Sequence, residues 1–181
     1  MAALGGSVAR RYAKALFELG VQAGNFEALG RELEGVARLY SDSRELRQTL
    51  ENPVFKQSQK RKIVEALLPQ LAQDVVVRNF VLLLVDRNRI AVLPLISRAY
   101  QELTDRQLGQ VRAVVTSAKP FDMATEGEIK RALEKRTGKK VLMKSEVDPT
   151  LIGGVVVCVG DLILDGSLRT RLASVGTRIL N

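Results

Sequence analysis

From Val8 to Leu108 the apolar residues return every three or four positions, the spacing of helix faces turned toward a common core. Val8, Tyr12, Leu16 and Leu19 form the first stripe, with Ser7 as its N-cap and Gly20 as its end. Phe26, Leu29, Leu33, Val36 and Tyr40 form a second, interrupted by Gly30 and Gly35, which weaken a helix without forbidding it. A third helix, from about Ser43 to Leu50, is stopped by Asn52-Pro53, because the residue before a proline is pushed out of the helical region. Ser58 caps a fourth, which carries Ile63, Val64, Leu67 and Leu68 and is ended by Pro69. A fifth begins at Asp74 and is apolar on nearly every side, from Val75 to Val77 and from Phe80 to Val85, as expected of the central helix of a bundle. The sixth runs from Ile90 to about Leu108, with Leu93, Ile96, Tyr100 and Leu103 inward and Pro94 in the first turn, where proline is accepted.

At Gly109 the period changes. Val111, Ala113 and Val115 alternate with Arg112, Val114 and Thr116, the pattern of a strand that Lys119-Pro120 ends. A helix from about Thr125 to Arg136 turns Ile129, Ala132 and Leu133 inward and closes at Gly138. Lys140 to Val147 alternates again. Gly154 to Val159 is a short buried strand, Gly160-Asp161 a turn, and Leu162 to Leu164 its hairpin partner. Ser167 then caps a last helix with Leu168, Leu172, Val175 and Ile179 on one face. The expected fold is mainly α with a small α/β part: a six-helix bundle over residues 1–108, then a small mixed-sheet domain over 109–181. Residues 1–105 are expected to fold alone.

Composition narrows the chemistry. The 181 residues include no histidine and one cysteine, so the commonest general base and the usual zinc ligand sets are missing. Cys158 lies in the apolar run Val155 to Val159 and reads as a small core residue in a reducing compartment. The net charge of +8 calls for acidic partners to be considered, yet bases and acids interleave, as in Arg31-Glu32 and Asp105-Arg106. Three tyrosines and five phenylalanines, without tryptophan, make no strand-borne stacking cluster of the kind that reads single-stranded RNA. Met1 to Ser7 is too short and too soon followed by Arg10 and Arg11 for a signal peptide. The most apolar stretch, Val75 to Val85, is about half of what a membrane span needs.

Two features that resemble catalytic motifs have local explanations. Gly153, Gly154 and Gly160 lack the lysine and hydroxyl of a phosphate-binding loop and read as a strand bulge. Asp148, Asp161 and Asp165 sit before a proline, in a hairpin turn and ahead of a helix, where short acids are at home without any metal. No catalytic, cofactor-binding or metal residue is expected. The basic stretch Lys130-Arg131, Lys135-Arg136 and Lys139-Lys140 reads as a solvated face or as a contact for an acidic partner.

Two segments carry a family resemblance. One is Val8-Ala9-Arg10-Arg11-Tyr12-Ala13-Lys14-Ala15-Leu16-Phe17; the other runs from Glu146-Val147-Asp148-Pro149 through Gly153-Gly154-Val155 and Gly160-Asp161 to Leu164-Asp165-Gly166-Ser167-Leu168-Arg169. Both resemble the delta subunit of bacterial and chloroplast F-type ATP synthases, whose mitochondrial counterpart is the oligomycin-sensitivity-conferring protein. Asn52-Pro53, Asn79-Phe80 and Asp86-Arg87-Asn88-Arg89 fall where the family has similar segments, so the likeness spans almost the whole chain. Arg11 departs from members that carry proline there.

The resemblance implies a non-catalytic stator subunit of a proton-translocating ATP synthase, which joins the catalytic head to the peripheral stalk and resists rotor torque. It implies a bundle that receives N-terminal helices of the alpha subunits, and a C-terminal domain that holds the b subunit. The location it implies is peripheral, on the cytoplasmic face of the bacterial cell membrane, with membrane association only through the complex. Helices one and five carry more apolar surface than one buried face requires, so Tyr12, Ala15, Leu16, Leu83 and Arg87 are the expected lining of the alpha-subunit site. Lys130, Arg131, Lys135, Leu168 and Leu172 are the residues expected to meet the b subunit. The competing reading, an RNA-binding helical module resembling bacterial antitermination factors, leaves the mixed domain unexplained. An enzyme built on the C-terminal acids lacks an activated group.

Overall fold

The computed structural model describes residues 2–151, 153–160 and 162–166. The chain forms two compact units, Met1–Thr104 and Asp105–Asn181.

The first unit is built from α1 (Ala2–Ala23), α2 (Phe26–Asp42), α3 (Arg44–Glu51), α4 (Gln57–Leu71), α5 (Val75–Asp86), a 3-10 turn (Ile90–Val92) and most of α6 (Leu93–Gln107). The expected stop at Gly20 does not occur, and Ser7 lies inside α1 rather than at its cap. Gly20 is instead a packing position, where a Cβ would lie 2.9 Å from both the Tyr100 hydroxyl and Phe26 Cα. The helix ends four residues later, at Gly24 with φ +71. There Asn25 N–H donates to Gly20 O at 3.0 Å and Gly24 N–H to Val21 O at 3.1 Å, the bond pair of a Schellman end.

Other boundaries follow their caps. Ser43 accepts from Leu46 N–H at 3.2 Å and Asp74 from Val76 N–H at 2.8 Å, each supplying a partner to a helix-start amide. Pro69 does not end α4, which continues to Leu71. A proline so near the C-terminus removes only one N–H, and Ala72 N–H still closes on Leu68 O at 2.8 Å. Nor does Ser58 cap that helix, which starts at Gln57, with the Gln59 side chain accepting from Lys56 N–H at 2.9 Å.

A single core gathers Ala9, Ala13 and Leu16 of α1, Leu29, Leu33 and Tyr40 of α2, Val64 and Leu68 of α4, and Leu93, Ile96 and Tyr100 of α6. The fifth helix is not enclosed by the others. It contributes Val77, Phe80, Val81, Leu84 and Val85 to the core, but Val75, Val76 and Leu83 are exposed. Among the described residues no helix is long and apolar enough to cross a membrane.

The second unit holds a four-stranded sheet in the order β2-β1-β3-β4, from β1 (Gln110–Ser117), β2 (Lys140–Val147), β3 (Val155–Val159) and β4 (Leu162–Asp165). The helix α7 (Met123–Thr137) is the crossover that lets β2 lie parallel to β1; the β1–β3 and β3–β4 pairs are antiparallel. Asp122 caps α7 by accepting from Thr125 N–H at 2.8 Å, and Gly138 closes it at φ +66. Leu133 packs with Ala113, Val115, Val141, Val157 and Val159 on one face of the sheet. Cys158 is not part of that core. Strand alternation turns it to the opposite face, where it is half-buried. The helix expected from Ser167 lies outside the described residues.

Candidate partner-binding site

In the first unit α1 and α5 lie side by side, and both carry exposed apolar side chains. Asn25 Nδ2 donates to Asp74 Oδ2 at 3.0 Å, joining the end of α1 to the start of α5. The Tyr12 ring meets Phe80 edge to face with centroids 6.1 Å apart, and Arg89 Nη1 donates to the Tyr12 hydroxyl at 3.2 Å. The two helices are therefore antiparallel neighbours. The Arg89 guanidinium also lies 5.6 Å over the Tyr12 ring, within cation–π range.

At helical spacing from the Tyr12–Phe80 contact, Ala15 and Leu19 follow Tyr12 on α1, and Val76, Leu83 and Arg87 flank Phe80 on α5. Ala15 and Arg87 are exposed, Tyr12 is partly buried over Phe80, and Leu83 is 42% exposed. Leu16, expected among the lining residues, is 1% exposed and belongs to the core. Leu16 lies one residue past Ala15, about 100° further round the helix, which carries it from the outer flank to the buried face. Two further apolar residues on these helices are exposed, Leu19 at 52% and Val76 at 36%. Their signal is present in the spacing: Leu19 stands four after Ala15, and Val76 seven before Leu83.

In the second unit Arg131 and Lys135 share an exposed face of α7, one turn apart. Arg136, Lys139 and Lys140 continue the exposed positive charge, while Lys130 is half-buried to one side. The Arg131 guanidinium donates to Gly127 O at 3.1 Å, and no ion pair is formed by these six cations among the described residues. Leu168 and Leu172 lie outside the described residues.

The sheet face turned away from α7 mixes apolar residues with Arg112, Thr116, Lys144, Glu146 and Asp165. Val114 pairs with Cys158, and Cys158 with Ile163, in one cross-strand row whose outer end, Ile163, is 66% exposed. Leu142 and Val156 flank that row, and Arg112, Lys144 and Glu146 lie on the same face.

Asp148, in the C-terminal turns, has a local structural role. Asp148 accepts from Thr150 N–H at 2.9 Å and from its hydroxyl at 2.7 Å, and these bonds hold its carboxyl below the ordinary range. Asp161 lies outside the described residues. Among the described residues no group of three or more acids and cysteines is placed to hold a metal ion.

Comparison with known proteins gives these surfaces a setting. The sequence pattern of the family described as ATP synthase delta (OSCP) subunit matches residues 8–179. The ATP synthase subunit delta of Citrifermentans bemidjiense is 41% identical over 169 residues, covering 93% of this chain and 94% of that protein. The subunit delta of Anaeromyxobacter sp. strain Fw109-5 is 46% identical over 167 residues, covering 92% and 93%. A chain of the Toxoplasma gondii mitochondrial ATP synthase hexamer shares the fold with a TM-score of 0.74 at 25% identity, covering 96% of this chain and 97% of that one. With the helical unit, the small mixed sheet and the sequence pattern in agreement over nearly the whole length, the chain belongs to the ATP synthase delta (OSCP) family of non-catalytic peripheral-stalk subunits.

Proposed function

We propose that this chain is a stator joint of an F-type ATP synthase on the cytoplasmic face of a bacterial cell membrane. Its helical part, residues 1–108, binds the N-terminal helix of an alpha subunit in the α1–α5 groove. Its mixed part, residues 109–181, binds the b subunit. Such a joint must withstand torque without performing chemistry, so it requires tight, shape-matched binding. The observation that carries the reading is the row of exposed apolar side chains, Ala15, Leu19, Val76 and Leu83, between two antiparallel helices. An amphipathic helix laid in such a trough buries its apolar face at i, i+3, i+4 and i+7, and a few well-buried anchors supply most of the affinity.

The test is titration of a synthetic alpha-subunit N-terminal peptide into the native chain and into Ala15→Asp. Ala15 is exposed, so the variant is expected to keep its melting temperature while losing about 2–4 kcal/mol of peptide affinity, the scale of a central hot spot. Unchanged affinity in the folded variant rejects the groove.

A further inference from the structure

Where α6 gives way to β1, Asp105 and Arg112 are joined side chain to side chain. We infer that this pair is a latch: it fastens the last turn of α6 to the start of β1 and makes the α6–β1 turn a stiff joint rather than a free linker. The second unit begins inside α6, at Asp105, so both partners belong to it. Asp105 is 8% exposed, and its carboxylate accepts from Arg112 at both oxygens, from Nε at 2.6 Å and from Nη2 at 3.3 Å. Two-pronged pairing of this kind fixes the orientation of both side chains as well as their separation.

The turn itself is not anchored by apolar burial. Arg106, Gln107, Leu108 and Gly109 are all exposed, so its order rests on polar contacts. Gly109, at φ +63, donates its N–H to Arg106 O at 3.2 Å, and its carbonyl accepts from Lys140 N–H at 3.3 Å. Both are single, neutral bonds at the long end of the normal range, whereas the Asp105–Arg112 pair is charged and double. Lifting the last turn of α6 off β1 breaks both bonds of that pair at once. Removing Arg112 reverses the balance, because a mostly buried carboxylate is then left uncompensated and the lifted state, in which water reaches it, is favoured. In the stator reading above, on which the latch itself does not depend, load carried along the chain passes through this turn. A braced turn transmits that load where a slack one would absorb it.

Hydrogen exchange followed by mass spectrometry on the full-length chain tests the latch, because amides in a locally opening segment exchange at a rate set by how often it opens. In Arg112→Gln the amides of residues 106–109 are expected to exchange about tenfold faster than in the native chain, with those of α2, α5 and β3 unchanged. Adding Asp105→Asn to that variant is expected to restore part of the protection, since the uncharged amide has less need to escape burial. Arg112→Lys, which keeps the charge but loses the fork, is expected to lie between native and glutamine, and it carries the test alone if the glutamine variant does not fold. Native rates at 106–109 in these variants overturn the latch, as does a further acceleration on adding Asp105→Asn. Uniform acceleration throughout the chain also overturns it, because the pair then serves general stability and not the joint.

Discussion

At the scale of single residues, two positions in the first unit have effects that periodicity does not announce. Gly20 is occupied on its open side by Phe26 and Tyr100, so a methyl group there forces the α1–α2 corner apart. Gly20→Ala is expected to cost about 1–3 kcal/mol despite the better helix propensity of alanine, visible as a lowered urea midpoint. Tyr100 is wholly buried, with its hydroxyl donating to Phe26 O at 2.8 Å, and burial raises its pKa from 10.0 to about 12. The unfolded chain loses this proton from about pH 10 upward while the folded chain keeps it. The stabilisation is therefore complete below pH 10 and is lost as the pH rises through 12. Tyr40 contributes in the same direction, because burial and its hydrogen bond to the Glu51 carboxylate both disfavour the phenolate. Unfolding measured from pH 9 to 12 should fall less steeply in Tyr100→Phe than in the native chain; equal slopes refute the assignment.

At the scale of elements, α7 and the sheet divide the work expected of the second unit. Exposed charge pairs are individually weak, so in the proposed b-subunit joint the cations of α7 are expected mainly to attract and orient the partner, with apolar contacts supplying most of the affinity. Neutralising Lys130, Arg131 and Lys135 together with glutamine should weaken b-subunit binding by about tenfold or less and reduce its salt dependence. A chain ending at Gly166, which lacks Leu168 and Leu172, is expected to lose more. Surface plasmon resonance on both variants, with circular dichroism as the folding control, checks the order; full-strength binding by the folded truncation rejects the assignment of Leu168 and Leu172. The boundaries of these elements were largely legible, because caps act locally. Ser43, Pro94 and Gly138 each mark an end through their own backbone or side-chain chemistry. Gly20 and Pro69 misled for a matching reason: a breaker near a helix end, or one packed against a neighbour, costs little locally, and the tertiary contact decides.

At the scale of the molecule, the unit Met1–Thr104 has its own continuous core. We expect a polypeptide of residues 1–105 to melt cooperatively with a mostly helical circular dichroism spectrum, and a broad, non-cooperative melt would count against an independent unit. The hydrophobic pattern by itself determined the seven helices among the described residues, the change of period at Gly109 and the helical spacing of the apolar residues on α1 and α5, since each depends on residues near in sequence. Only the tertiary structure decided which apolar face each helix buries. Leu16 and Leu19 are three positions apart on one stripe, yet one is buried in the core and the other exposed, and α5, apolar almost all round, leaves Val75, Val76 and Leu83 exposed. The same holds for Cys158, whose face follows from the register of β3 against β1 and β4. Periodicity records that a side chain is apolar and where it points from its own element; what lies opposite depends on elements distant in sequence, and that alone separates a buried core from a surface open to a partner.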